Sequence, residues 1–394
     1  MSEDQFTEVT RTGIFGRLSD SIKSMAFGFL LLIAAFPLLW LNEGSAVRRA
    51  NTLDAGADVV VSISPNAVRQ GQEGKLVHLS GLASNRGIAQ DPDFGVSANA
   101  LNVIRTVEMY QWDERSSTKT STELGGTQET TTTYSYSKKW SEDLINSSFF
   151  KRPSGHQNPD IKLYDSASWV AELVTVGAYT LPANMVRRIE GAKAINVPKA
   201  LMDSLDEDLR ANVSRLPTGF YYGANPSSPA IGDLRITFSA VPPTQVSVVA
   251  QQVGNSFGPY RMEQGSIDLL ETGSYSAEQM FMIAHEDNNT TTWLIRLGGF
   301  VMMGIGFSIL LAPLAVLADV IPILGAIVRA GTSIVAGALA LVLSLVTIAL
   351  AWLAYRPLIS IGLIVIAVAG VVLVKMLLDK RTANSDAEPD AATS

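Results

Sequence analysis

AGTSIVAGALALVLSLVTIALAWLAYRPLISIGLIVIAVAGVVLV, Ala330 to Val374, is the stretch that decides the class of this chain. As one unbroken helix it would run about 68 Å, roughly twice what the hydrocarbon of a bilayer accepts. Arg356-Pro357 interrupts it. Arginine is costly at mid-bilayer, and proline breaks a helix interior. The pattern predicts two membrane helices, 330–355 and 357–374, joined by a tight corner with Arg356 at the water interface.

Two more uncharged apolar stretches lie upstream, Leu297 to Ala318 and Met25 to Leu41. The earlier one is long enough to cross only when Ile22 and Lys23 join it, with the lysine amine snorkelling to the headgroups. A cleaved signal peptide is its rival reading, since Arg11, Arg17 and Lys23 make a basic front. Against it, the apolar run is longer than a usual signal core and no clean small-x-small site follows. The expected spans are therefore 22–41, 297–318, 330–355 and 357–374.

Basic residues near the spans set the orientation. Arg11, Arg17 and Lys23 precede the first span, Arg329 follows the second, and Lys375, Lys380 and Arg381 follow the last. Opposing them are Arg356 and, at the ends of the long loop, Arg48, Arg49 and Arg296. The bias places both termini in the cytoplasm and residues 42–292 outside it. Segment 1–21 is expected to be loosely ordered, 319–329 to be a cytoplasmic or interfacial connector, and 375–394 to be a disordered tail.

Residues 42–292 carry 21 basic and 28 acidic side chains, and so hold the whole net charge of −7. Such a domain lacks the electrostatic footprint for nucleic acid or for plain adsorption to anionic lipid. The chain has no cysteine, which excludes disulfides, thiolate chemistry and cysteine zinc sites.

Within that segment short β-rich runs alternate with turn signals. Asp58–Ile63, Gly74–Ser80, Asp233–Ala240 and Gln245–Val253 read as strands. Leu101–Trp112 and Thr127–Trp140 flank Gly125-Gly126, a pair suited to the positive φ of a hairpin turn. The expectation is a long two-stranded arm with its tip in solvent; a disordered Ser/Thr linker is the rival. Ser276 followed by Gln279 has the form of a capping box, and a second helix is expected over 198–206. The fold class is thus an α+β membrane protein, with one span before a large β-rich extracytoplasmic domain and three after it.

Catalytic signatures are missing from the sequence: there is no GxSxG, Walker loop, HExxH or dinucleotide fingerprint. His78, His156 and His285 stand far apart and read as structural. Asp91-Pro92-Asp93 reads as a turn opener rather than a catalytic carboxylate pair. No catalytic residue, cofactor or metal is assigned. The informative charges lie at the membrane: Arg296, Asp319, Arg329 and Arg356, with Pro357, are the candidate interface or packing residues. Asp319 and Arg329 bracket Val320–Val328, either as an interfacial connector or as a re-entrant piece with the two charges paired at depth. Gly298, Gly299, Gly304 and Gly306 can pack helices closely, within the chain or between copies.

Several runs carry a resemblance. They include Asn42-Glu43-Gly44 with Ala46, Glu73 to His78 (EGKLVH), Asp91 to Val96 (DPDFGV) and Val107 to Trp112 (VEMYQW). Ile145-Asn146-Ser147, Gly155-His156 with Asn158-Pro159, Gly232 to Arg235, Thr292-Trp293 with Arg296, and Tyr355 to Leu358 follow in order. In this succession the chain resembles the transmembrane protein 43 (LUMA) family over roughly Gly13 to Val374. The resemblance implies four spans, cytoplasmic termini, a luminal domain, oligomers, and in animal members a place in endoplasmic reticulum and inner nuclear membrane with emerin and lamins. It implies no enzymatic activity. In a bacterium the domain would face the periplasm from the inner membrane.

The expected function is a self-associating membrane scaffold that organises proteins or lipids. Its partners would be membrane lipids, further copies and unidentified membrane or envelope proteins, with no nucleic acid. A channel or transporter component and a membrane-bound enzyme on envelope lipids are the alternatives.

Overall fold

A computed structural model describes residues 4–357 and 361–362. It divides into two units. One holds the chain up to Gly13, Asn51–Glu123 and Thr127–Glu286; the other holds Ile14–Ala50, Leu124–Gly126 and the chain from Asp287.

The first unit is built on two sheets. The larger, of eight strands, follows the order β1 (Asp4–Thr12), β4 (Gln128–Ser141), β3 (Asn102–Thr122), β8 (Leu234–Val241), β7 (Gly219–Tyr222) and β6 (Val213–Leu216). The smaller, of seven, runs through β5 (Leu173–Val176), β2 (Leu76–Arg86) and β9 (Thr244–Val253), with β10 (Leu269–Thr272) also on β9. In the first half of β3 apolar Val103, Val107 and Met109 alternate with more exposed neighbours, as a half-buried strand requires. They share one core with Phe220, Ile236 and Phe238 of the same sheet and Val77, Leu79, Val246 and Val248 of the other. Beyond Arg115 β3 is mostly exposed, and with β4 it forms the expected arm.

The hairpin reading thus stands against the disordered one, and the arm has a third strand. Residues 4–12, expected to be loosely ordered, pair antiparallel with β4 from Asp4↔Tyr136 to Thr12↔Gln128. Only Phe6 and Val9 are apolar in that strand, so its own pattern gives little signal.

Three long helices carry the apolar stretches: α1 (Ile14–Val59), α2 (Ala277–Ala318) and α3 (Pro322–Tyr355). Each is long and apolar enough to cross a membrane. The helices outrun the expected spans. Residues 42–59 continue α1, which leaves only Val61–Ser62 of the expected 58–63 strand. The helix opened by the Ser276 capping box is continuous with the 297–318 span. Its start is the expected capping box: Ser276 N–H donates to Gln279 Oε1 at 2.8 Å and Gln279 N–H to Ser276 Oγ at 3.2 Å. The ends of α1 and α2 are amphipathic where they lie in the first unit. There Leu53, Met280 and Phe281 pack with Leu76, Val249 and Ile267. The helix expected over 198–206 is a 3-10 turn, Lys199–Ser204, followed by a short α-helix, Glu207–Asn212.

The connector is the plainest correction. Residues 322–329 are the first turns of α3, so Asp319–Ile321 alone joins α2 to α3. Pro322 does not interrupt a re-entrant piece; it occupies the start of the helix, where its missing N–H costs nothing. At the far end α3 stops at Tyr355. Arg356 takes φ −135° and ψ 59°, outside the helical region that the following proline disfavours. The expected fourth span, 357–374, and the tail, 375–394, lie outside the described residues except for Pro357, Ile361 and Gly362.

Candidate functional site

The helical unit spends its buried charges at its two ends. At one end, Asn42-Glu43 of α1 meets Thr292 to Arg296 of α2. Glu43 follows directly on the apolar run and is only 2% exposed. A carboxylate so placed needs a charged partner and hydrogen bonds. Arg296 supplies a two-point grip, Nε to Oε1 at 2.6 Å and Nη2 to Oε2 at 2.8 Å. Trp352 of α3 adds Nε1–H to Oε2 at 2.8 Å, so one carboxylate ties all three helices. The Arg296 guanidinium also lies 4.7 Å from the Trp293 ring. Beside it, Asn42 Nδ2 donates to the Thr292 carbonyl at 3.3 Å and Asn288 Nδ2 to the Ala46 carbonyl at 3.1 Å.

At the other end Asp319 is 1% exposed and sits just ahead of α3, where a helix N-terminus favours negative charge. Two arginines reach the same oxygen, Oδ2: Nη2 of Arg17, and Nη2 of Arg329 at 2.6 Å. Arg17 is buried, whereas the Arg329 side chain is 52% exposed. Arg17 Nη1 also donates to the Gly126 carbonyl at 2.8 Å, and Gly125 N–H donates to the Val320 carbonyl at 3.1 Å. The turn expected in solvent is therefore held, with Gly126 buried at φ +78°. A Cβ there would meet the Ile14 side chain at 2.9 Å, so glycine serves both the turn and the contact. The orientation reading put residues 125–126 and Arg17 on opposite membrane faces, whereas here they share one end of the helical unit.

Between the ends, α1 and α2 meet backbone to backbone. A Cβ on Gly306 would lie 2.9 Å from the Gly28 carbonyl oxygen, and one on Gly28 would lie 2.9 Å from that of Gly306. The glycine-rich face of α2 therefore serves a contact within the chain.

Of the five candidates from sequence, Arg296, Asp319 and Arg329 are in these clusters. Arg356 and Pro357 directly follow the end of α3. Sequence reasoning missed three participants: Glu43, Arg17 and Trp352. Arg17 counted only as one basic residue among several, and Glu43 only as part of a family corner. The available signal was that Glu43 lies within two residues of an apolar run; Arg17, eight residues before Met25, carried none.

The β-rich unit keeps its polar groups in structural work. Asp91 is fully buried. Its Oδ1 accepts from Asp93 N–H at 2.8 Å and Phe94 N–H at 3.1 Å, closing a turn, while Arg105 Nη1 reaches Oδ2 at 3.0 Å. Burial raises the Asp91 carboxyl above the ordinary aspartate range, and Arg105 pulls it back. His78 is held between Ser62 Oγ at 3.2 Å and the Tyr275 carbonyl at 2.9 Å, and burial lowers its imidazole. His156 lies between the Arg152 carbonyl and Asp4, and His285 beside Asp54. Among the described residues no three His, Asp or Glu side chains converge as a metal would require.

A family model described as Transmembrane protein 43 matches residues 109–357. Transmembrane protein 43 of Mus musculus is 33% identical over 364 residues, covering 89% of this chain and 89% of that protein. The Homo sapiens protein of the same name is 32% identical over 381 residues, covering 94% and 92%. The Drosophila melanogaster homolog is 30% identical over 358 residues, covering 87% and 93%. No solved structure matches the chain.

Proposed function

The chain belongs to the transmembrane protein 43 family, and on that premise we propose that it is an integral-membrane scaffold acting by binding and assembly rather than by turnover. The observation that carries the reading is the bracing of the helical unit. Both buried carboxylates at its ends are consumed by arginines of the same unit, so the charges hold helices together. A conducting path or a proton relay would need such groups turned toward a passage. The partners of this reading are lipids, further copies of the chain and membrane proteins.

The β-rich domain, apart from the 124–126 turn held at the Asp319 end, is taken to face away from the cytoplasm, with the C-terminal tail inside, as the basic residues beside the later spans favour. In a eukaryotic cell that face is the lumen of the endoplasmic reticulum or nuclear envelope. In a bacterium it is the periplasm. A reporter active only outside the cytoplasm should work when inserted after Ser228, in an exposed loop, and fail after Ser394.

Cross-linking in intact membranes tests the scaffold. Self-associated species, retained when expression is lowered, are expected. Monomer alone, with no protein neighbour trapped, would overturn the reading. So would selective ion conduction by the reconstituted protein that shifts with substitutions along the spans, or turnover of an envelope lipid abolished by one exchange that leaves the fold intact.

A further inference from the structure

Beside the Glu43 cluster the helical unit has a concavity of about 350 Å³. Its walls are one face of α2, with Trp293, Leu297 and Phe300, and one face of α3, with Leu341, Leu345 and Ile348. The spacings are i, i+4, i+7 on both helices, so each set forms a single stripe. Ser344 is the one small polar residue in the lining. It is buried, and its hydroxyl donates to the Leu341 carbonyl at 3.0 Å, so it presents no unmet polar group. A cavity with such walls excludes water.

The rim shows what medium the cavity opens to. Trp293, Leu297, Leu341 and Leu345 are all more than half exposed, and they belong to apolar helices whose surroundings are acyl chains. One end of the cavity is polar: Arg296 and Trp352 complete the lining there. Tryptophan and arginine together at the end of an apolar stretch mark the headgroup level. Arg296 gives Nε and Nη2 to Glu43, and Nη1 takes no part in that grip.

We propose that this cavity is a phospholipid site, with one acyl chain lying between α2 and α3 and a phosphodiester oxygen accepting from Arg296 Nη1. Glu43 neutralises the arginine, so the head is recognised by hydrogen bonding and not by net charge. The site therefore takes zwitterionic and anionic phospholipids alike. The inference rests on the chain's being a multi-pass membrane protein and not on the scaffold reading. Self-association and lipid retention are measured on the same sample and fail separately.

The test uses the full chain, delipidated in mild detergent and then exposed to phosphatidylethanolamine or phosphatidylglycerol. Retained lipid is counted by native mass spectrometry. Both lipids should be retained to a similar extent. Ser344→Leu and Leu341→Phe, which fill the cavity, should lower retention roughly tenfold, while Ile334→Phe, on an exposed part of α3 outside the lining, should not. Because the chain has no cysteine, Leu345→Cys can be folded first and then capped with a benzyl maleimide. Capping should displace the lipid without any demand on folding. Equal retention before and after capping overturns the site. Retention of phosphatidylglycerol alone overturns the neutral-head assignment. A Leu345→Cys, Leu363→Cys pair that closes completely in a protein holding no lipid would show that the chain's own residues 357–374 cover the groove, and that also overturns it.

Discussion

The two ends of the helical unit solve one problem in different ways. At the first, one carboxylate meets one arginine, with Glu43 at 2% and Arg296 at 14% side-chain exposure. At the second, one carboxylate meets two arginines, and one of those is half exposed. The first cluster is neutral, with an indole N–H completing the shell of its carboxylate. The second keeps an excess cation and holds the 124–126 turn. The difference teaches that pairing inside an apolar unit can serve rigidity alone, or rigidity plus a surplus charge at the boundary. Four substitutions and one titration press on that contrast.

Glu43→Ala should have the largest effect. It leaves Arg296 buried without a counter-charge and frees the Trp352 indole, and breaking such a pair costs about 3–5 kcal/mol. The expected readout is a collapse of melting temperature and of yield in detergent. Glu43→Leu combined with Arg296→Met should recover most of the loss, because an apolar replacement of both partners removes the stranded charge. A Glu43→Ala protein as stable as the parent would show that the cluster is wetter than its geometry implies.

Asp319→Ala should cost less, about 1.5–3 kcal/mol, because Arg17 keeps the Gly126 carbonyl and Arg329 can turn to solvent. Its signature is local. Hydrogen exchange at the Gly125 amide, which donates to Val320, should accelerate while exchange in β9 stays slow. Unchanged protection at Gly125 would mean that the turn is held without the cluster.

Midway between the ends, Gly306→Val presses α2 from α1 and should cost about 1–3 kcal/mol as an overpacked contact. Gly298→Val, with open space around its Cβ, is the control and should be nearly neutral. The opposite ranking would place the glycine contact between copies of the chain.

How much of this was legible in sequence depends on how local each signal is. The three long helices, the Gly125-Gly126 hairpin, the Ser276–Gln279 cap and the helix end before Arg356-Pro357 rest on residues within one or two turns of each other, and all were readable. β1 was not. DQFTEVTRT carries its meaning only beside β4, more than a hundred residues later. Helix ends were misjudged for a related reason. Residues 42–59 and 277–296 are polar enough to read as domain, yet they continue helices whose apolar middles fix the direction. The charged clusters show the limit most sharply. Arg296 and Asp319 were identified as candidates because they border apolar runs. Arg329, ten residues from Asp319, was the one partner the sequence offered; Glu43 and Arg17 lie 253 and 302 residues from theirs, and nothing in the sequence joins Glu43 to Arg296 or Arg17 to Asp319.

Arg329→Ala separates the two arginines of the Asp319 end. Its side chain is half exposed, so its loss should cost under about 1 kcal/mol, well below the loss from Arg17→Ala. Equal losses would mean that Arg329 is shielded in the membrane and that both ends are closed alike.

The smallest effect sharpens the contrast from outside the spans. Asp91 in the β-rich unit is as buried as Glu43 and is also held by an arginine, but it faces a protein core near water, where pH can reach it. Burial raises its carboxyl above the ordinary value, against the pull of Arg105. The folded chain then keeps this proton to higher pH than the unfolded chain does. Just above about 3.9, the unfolded aspartate value, the folded state binds more protons, so this group's contribution to stability falls as pH rises through that window. Asp91→Asn keeps an acceptor for the Asp93 and Phe94 amides while removing the titration. The stability of the parent relative to Asp91→Asn should therefore decline as pH is raised from that value, measured by denaturant unfolding of both proteins under the same conditions. A rising difference would mean that Arg105 outweighs burial. Asp91 would then be held as an ordinary salt-bridged carboxylate, paired with Arg105 as Glu43 is with Arg296.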